Sequence, residues 1–438
     1  MTSVRYEFEA AVRDGTTWVP LPVTNITPSA NIDRIPFADA TVTCGAVTGH
    51  VWALLDPRTL DPTQGGQVRW RMKQLTPDGI VLGHLPRVGD TTGDWATMYV
   101  RTVSRTAGVT TITLSGGETI LDDRLVIENT GRLASGYEVS QQLGGAKNFG
   151  ELLDRLLHIT FGHANATGVG DVASEALALP WGPLLTAPSF TLDLPVPVGT
   201  PLLQIIETQL SSVGCRLYDA WGLGWFVYDR DHAPTYDAAP ELYRWATHDD
   251  DLPADVSPIV TGLTETITRG GDWADTVLVT GVSGPLDAQT SWRHFAAGGH
   301  GSRGRVIEME SAEPSGNLAA SIASRAFRRG QDLTITAQIR LDVIPGARVE
   351  IHTRSDVHEA EIVSVEWRPE TGDMTVEARS ATTMPIEHDT RATAESPTVQ
   401  SAIKTAEALS AAAYTDAVAR IPYEAGQTIA AALQGRKR

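Results

Sequence analysis

Residues 331–379 read QDLTITAQIRLDVIPGARVEIHTRSDVHEAEIVSVEWRPETGDMTVEAR, and this stretch decides the fold. Leu333, Ile335, Ala337, Ile339 and Leu341 take every second position, with Thr334, Thr336, Gln338 and Arg340 between them. Side chains of a strand point to alternate faces, so the spacing predicts one buried and one wet face. Pro345-Gly346 supplies a turn, because Pro presets φ at one corner and Gly accepts positive φ at the next. Ala347, Val349 and Ile351 resume the alternation. A third run, Ala360 to Trp367, changes phase between Ile362 and Val363, the signature of a β-bulge. Thr371-Gly372-Asp373 turns the chain again, and Met374, Val376 and Ala378 alternate beyond it. Four antiparallel strands with short turns predict a small barrel or sandwich.

Outward from this anchor, the composition is that of a cored globular chain. Of 438 residues, 42% are hydrophobic and 20% charged, a length that suits about two to four domains. The formal net charge of −18 argues against general nucleic-acid binding, which needs clustered cations. The same charge is compatible with a channel whose acidic wall repels passing DNA. Cys44 and Cys215 make no disulfide framework and are compatible with a pair or with two free thiols. Met1 to Ala10 alternates and reads as a strand, not a signal peptide. No apolar run reaches the roughly 20 residues of a membrane span, so neither export signal nor membrane anchor is expected.

Residues 1–134 are expected to form a first β domain. Val4, Tyr6 and Phe8 alternate, Asp14-Gly15 turns, and strands follow at Ala40 to Thr48, Gln67 to Leu75, Thr97 to Ser104 and Thr110 to Leu114. Residues 135–258 change period and read as an α+β domain. Asn148 caps a helix carrying Leu152, Leu153, Leu156, Leu157 and Ile159. Residues 169–197 are Pro- and Gly-rich and expected to be irregular, and Thr200-Pro201 opens a second helix with Leu202, Ile205, Ile206 and Leu210 on its stripe. Trp221-Gly222-Leu223-Gly224-Trp225 is the turn of an aromatic hairpin, and the polar stretch 231–258 marks a boundary. Residues 259–384 read as a second β domain with a helical insertion at about 286–331. There 283–305 is expected to be loop, and Asn317 to cap a helix bearing Arg325, Arg328 and Arg329 on one side. Residues 385–438 read as a polar linker, 385–397, and an Ala-rich helix with a narrow seam from Val399 to Ile421. The fold class is therefore mainly β with α+β inserts: two small β-barrels, a helix-hairpin insert, a helical insertion and a C-terminal helix.

Residues with chemistry to offer read better as structure. Ser115-Gly116-Gly117-Glu118 lacks the Gly-Lys-Ser/Thr ending of a phosphate loop and is expected to be a structural turn. His158 and His163, five apart, miss a common helical face. His248-Asp249-Asp250-Asp251 lacks the spaced ligands and Gly of a calcium loop, and Asp229, Asp231 and His232 are discounted on the same ground. Gly298 to Gly304 has no strand-to-helix frame for an anion cradle. No nucleophile elbow or metallopeptidase pattern occurs. The eleven Trp fall mostly at strand positions and suit cores or interfaces. The sequence thus predicts no catalytic residue, no metal ligand and no cofactor.

Five cues in order carry a family resemblance: Leu114-Ser115-Gly116-Gly117-Glu118, Thr200-Pro201-Leu202-Leu203-Gln204-Ile205-Ile206, Trp225-Phe226-Val227-Tyr228, Thr276-Val277-Leu278-Val279-Thr280-Gly281 and Ile344-Pro345-Gly346-Ala347-Arg348-Val349. Their succession over about residues 1–384 resembles the tail hub family of phages and related contractile machines. That family includes the baseplate hub and the N-terminal region of siphophage tail-associated (minor tail) proteins. The resemblance implies a non-enzymatic virion protein, made in the host bacterial cytoplasm and placed at the tail tip. It also implies a homotrimer whose two barrels per chain form a pseudo-sixfold ring around the DNA channel. A distal tail ring protein, a tape measure protein and tip or fibre proteins are the implied neighbours, with no specific nucleic-acid binding. A carbohydrate-binding tail adhesin, which needs exposed coplanar aromatic rings in a groove, and a cell-wall hydrolase component, which needs an acid/base pair, are the alternatives.

Overall fold

The computed structural model describes residues 4–47, 49–58, 66–86, 95–125, 160, 199–212, 215–219, 221–222, 225–229, 242–271, 273–283, 290–298, 303–309, 313, 318–382 and 385–395. In chain order the first region contributes β1 (Arg5–Asp14), β2 (Thr17–Pro20), β3 (Val23–Asn31), β4 (Ala38–Cys44), a short helix α1 (Gly49–Leu54), β5 (Gln67–Leu75), β6 (Val81–Leu85), β7 (Ala96–Thr106), β8 (Val109–Ser115) and helix α2 (Glu118–Asp123). Helix α3 (Leu202–Ser212) and the hairpin β9 (Cys215–Asp219) and β10 (Trp225–Asp229) follow, then β11 (Leu242–Ala246) and β12 (Val260–Ile267). The last region holds β13 (Thr276–Ser283), β14 (Thr290–Ala297), β15 (Gly304–Met309), helix α4 (Leu318–Arg328), β16 (Gln331–Gln338), β17 (Arg348–His352), β18 (Val357–Arg368), β19 (Asp373–Ser380) and β20 (His388–Glu395).

The mainly-β reading holds. The strands from 331 onward appear where alternation places them, with β19 antiparallel to both β16 and β18, and β17 antiparallel to β18. The phase change is a real irregularity of register between Ile362 and Ser364. Its position explains its use. Before it, Val357 to Glu361 pair with β17; after it, Ser364 to Glu366 pair with β3 of the first region. A bulge bends and re-aims a strand, and here it lets one strand serve two neighbours on the same side.

That sharing changes the architecture from the expected pair of closed barrels. Among the described residues the hydrogen-bonded path runs open, β12-β16-β19-β18-β3-β4-β8-β7-β5-β1-β2, with β17 and β11 branching from β18 and β6 from β5. The early and late strands are therefore parts of one large sheet. It encloses one apolar core, which includes Trp70, Met98 and Ile112 from the early strands and Ile335, Val365 and Trp367 from the late ones. Cys44 is a free, buried thiol within that core, and burial pushes its pKa up to about 11.

A second sheet, β15-β13-β14-β20, stands apart. One of its faces is covered by α4, and Val277, Val279, Trp292 and Ala296 pack there on Leu318, Ala319 and Ala323. This corrects three expectations. The 283–305 loop holds β14 and the start of β15, and the polar linker holds β20, which pairs with β14 along its whole length. The helical insertion is thus an α+β unit. The polar stretch 231–258 likewise contains β11, recruited in parallel by β17. Strands β3 and β6 and helix α1 had no prediction, and the Ser115 turn continues into α2. The helix predicted at 148–159, the irregular stretch 169–197, the cap Asn317 and the C-terminal helix 399–421 lie outside the described residues. Among the described residues no helix is long and apolar enough to cross a membrane.

Candidate functional site

The densest chemistry lies where α3 and the β9–β10 hairpin dock on the large sheet. Helix α3 forms because Leu202, Leu203, Ile205, Ile206 and Leu210 recur at helical spacing and are all buried. Its start is fixed by the Leu202 N–H donating to the Arg124 carbonyl at 2.9 Å. Glu207 on α3 accepts the Leu217 N–H at 3.2 Å, which ties helix to hairpin. Arg216 on β9 reaches the sheet and donates from Nη1 to the Ile32 carbonyl at 2.7 Å.

Beyond β9 the chain turns at Trp221, and this side chain joins all three parts of the molecule. Its ring meets Trp70 of β5 edge-on at 5.4 Å and Trp367 of β18 at 6.2 Å. Edge-to-face and tilted aromatic pairs at such separations add roughly 0.5–1.5 kcal/mol each beyond the area they bury. The Trp221 carbonyl accepts the Thr97 N–H at 2.8 Å. The next residue, Gly222, has φ +70°, and a Cβ there would lie 2.0 Å from the Thr97 carbonyl oxygen. Only glycine combines that backbone angle with that approach.

The Gly116-Gly117-Glu118 turn is the other half of the dock. A Cβ on Gly117 would meet the Trp225 ring at 2.7 Å, so the missing side chain is what lets the hairpin close on the sheet. Glu118 and Asp219 meet there, 0% and 3% exposed. Glu118 Oε1 accepts the N–H of Asp219 at 2.8 Å and that of Phe37 at 3.1 Å. Asp219 accepts the Gly117 N–H on Oδ2 at 2.7 Å and the Gly222 N–H on Oδ1 at 2.8 Å. Burial pushes both carboxyl groups up from their ordinary range, and the charge of Asp219 pushes Glu118 further. The sequence motif that invites a phosphate reading is thus a cradle for the chain's own carboxylates. Its backbone N–H points at Asp219, leaving an external anion no place.

The other sequence candidates stay apart. His248 donates from Nδ1 to the Asp250 carbonyl at 3.1 Å, and Asp250 pairs with Arg354 at 3.1 Å on the open surface. No cluster of three potential metal ligands occurs among the described residues. Gly304 begins β15, and Arg303 beside it is held by Asp275, which accepts its N–H at 2.7 Å. His158, His163, Asp231 and His232 lie outside the described residues, as does the side chain of Asp229. Several tryptophan faces are covered by guanidinium groups: Arg69 lies 4.9 Å over Trp18 and 4.4 Å over Trp95, and Arg105 lies 4.1 Å over Trp52. A groove of about 570 Å3 runs between the two sheets, with Ile267, Trp273, Phe327 and Pro385 on its walls. There too the indole is occupied, by Arg269 at 5.2 Å.

No family model and no curated protein sequence matches this chain. Among solved structures it is similar to a tail protein from Neisseria meningitidis MC58, at 14% identity over 86% of this chain and 98% of that one, with a TM-score of 0.44. It is also similar to the 43 kDa tail protein of prophage MuSo2 from Shewanella oneidensis, at 11% identity over 85% and 98% of the chains and a TM-score of 0.43. A third is prophage tail protein gp18 from Listeria monocytogenes EGD-e, at 10% identity over 85% and 94% of the chains and a TM-score of 0.41. The similarity spans most of each chain at low identity.

Proposed function

We propose that this chain is a structural protein of a bacteriophage tail, a hub or minor tail protein. It would act as a homotrimer whose three copies present six β lobes around the DNA channel and join the sixfold tail tube to the threefold tip. The lobes would be the strands of residues 1–134 and 259–384, with 135–258 as the insert between them. The observation that carries the reading is the Trp70–Trp221–Trp367 contact. It fixes both β regions and the insert of one chain at set mutual angles, and a ring-forming subunit needs that rigidity more than it needs a cleft. Among the described residues the path of the large sheet ends at β12 and β2, edges that would give such a subunit backbone groups to pair with neighbouring chains.

The alternatives fare less well on geometry. A sugar-binding surface needs open aromatic faces, and the Trp18, Trp52, Trp95 and Trp273 rings carry guanidinium groups. A glycan hydrolase needs two carboxyl groups flanking a cleft, whereas Glu118 and Asp219 are enclosed and held by backbone N–H groups. Distal tail ring, tape measure, and tip or fibre proteins are the partners this role calls for. The acidic excess would partly line the channel, and a lumen rich in Arg in the assembled ring would refute that part. The role is tested by the mass of the purified chain in solution, alone and with a tail-tube ring. Three copies per particle and no release of sugar from cell-wall glycan are expected, and a stable monomer or measurable glycan cleavage would refute it.

A further inference from the structure

Glu118 and Asp219 do more than fill space. They sit 101 residues apart in sequence on two different parts of the molecule, and four backbone N–H groups converge on three of their four oxygens. The fourth oxygen, Glu118 Oε2, is buried with no hydrogen-bond partner. A bare carboxylate oxygen in that position would be costly, and a protonated one, which buries no charge, costs less. We propose that this pair is a proton-dependent latch: one retained proton on Glu118 lets Asp219 keep its charge, and loss of that proton loosens the β9–β10 hairpin from the large sheet.

The charged groups around the pair leave the proton where it is. Asp122 and Asp123 on α2 face Arg101 of β7, and Asp39 of β4 accepts the Ser115 hydroxyl at 2.8 Å. Arg216 on β9 is turned to the Ile32 carbonyl, and Glu207 on α3 to the Leu217 N–H. Tyr99 of β7, with Arg13 and Arg124 acting on it, is raised by burial and by the charge of Asp219, so its phenol stays neutral through the relevant range. The charged side chain acting on Glu118 is Asp219. Two enclosed carboxylates side by side cannot both ionise at low cost. Because the pair's affinity for protons is higher docked than free, its stabilising contribution is complete below the ordinary carboxylate range. That contribution is lost as pH rises through the elevated value of Glu118.

The test is amide hydrogen exchange of the full chain, corrected for the intrinsic pH dependence of exchange, at the N–H groups of Phe37, Gly117, Asp219 and Gly222. Between about pH 5 and about pH 9 their protection should fall more than about tenfold, the change that one unit of pKa elevation yields. Glu118→Gln keeps the Oε1 acceptor and removes the Glu118 titration, so its protection should fall less steeply than wild type across that range, with only the raised Asp219 carboxyl left to titrate. Wild-type protection that does not vary, or a Glu118→Gln profile that falls as steeply as wild type, would overturn the latch. Infrared spectroscopy of the unaltered protein decides the same point even if the variant does not fold. A protonated carboxyl band should persist to neutral pH, and its disappearance within the ordinary carboxylate range would equally overturn the proposal.

Discussion

The large sheet and the four-stranded sheet bury tryptophan equally well, with Trp70, Trp367 and Trp292 at 0%, 1% and 0% exposure, but they close their cores differently. The large sheet packs against itself, and residues far apart in sequence, such as Val42, Trp70, Trp245 and Trp367, share one core. The small sheet relies on one helix. Its core is a separate cluster in which Ala319 and Ala323 let α4 lie close to Val277 and Val279. The contrast teaches where cooperativity resides. Damage to the large core should spread through both β regions and the insert, and damage to the small core should stay local.

Trp367→Ala is the strongest way to break that contrast. It removes a fully buried indole whose Nε1–H donates to the Arg340 carbonyl at 2.9 Å, and it takes away one support of Trp221. A loss of about 3–5 kcal/mol is expected in urea unfolding, with protection falling in strands on both sides of the bulge. Trp292→Ala should lose a similar amount, but exchange should show it confined to β13, β14 and α4. If β5 or β18 lost protection equally, the two cores would be one unit. His294→Ala sharpens the local case. His294 is fully buried, and its Nδ1 accepts the Leu318 N–H at 3.0 Å at the start of α4. Removing it leaves that N–H unsatisfied, and about 1–3 kcal/mol should be lost from the small unit alone. Arg354→Ala sets the floor: its pair with Asp250 has side chains 77% and 69% exposed, so the unfolding free energy should change by less than about 1 kcal/mol.

The same contrast governs what the sequence discloses. The strands of the large sheet after residue 331 alternate cleanly because each has one wet face, and even the bulge shows as two adjacent apolar residues, Ile362 and Val363, both buried. β5 is legible for the same reason. β20, His-Asp-Thr-Arg-Ala-Thr-Ala-Glu, carries no apolar stripe, since an edge strand can be held by backbone pairing alone. β14 is obscured by the Gly-rich segment that follows it, although it pairs with its sequence neighbour β13, and β11 by the Pro-rich polar chain around it; what places β11 is β17, a partner strand far off in sequence. The dock is half legible. Helix α3 and the aromatic hairpin follow from spacing, and the Gly116-Gly117 pair signals close approach. The partnership of Glu118 with Asp219 does not follow, because nothing local in either segment points to the other. A lone acid ending the otherwise largely apolar run of β9 is the one available hint.

In the proposed role one chain supplies two β lobes at a fixed angle and three chains complete a ring. Electron cryomicroscopy of the purified assembly, viewed down its axis, addresses it directly. Three copies with six β lobes around an open channel are the expected outcome, and a particle with any other copy number, or with a single lobe per chain facing the channel, would contradict it.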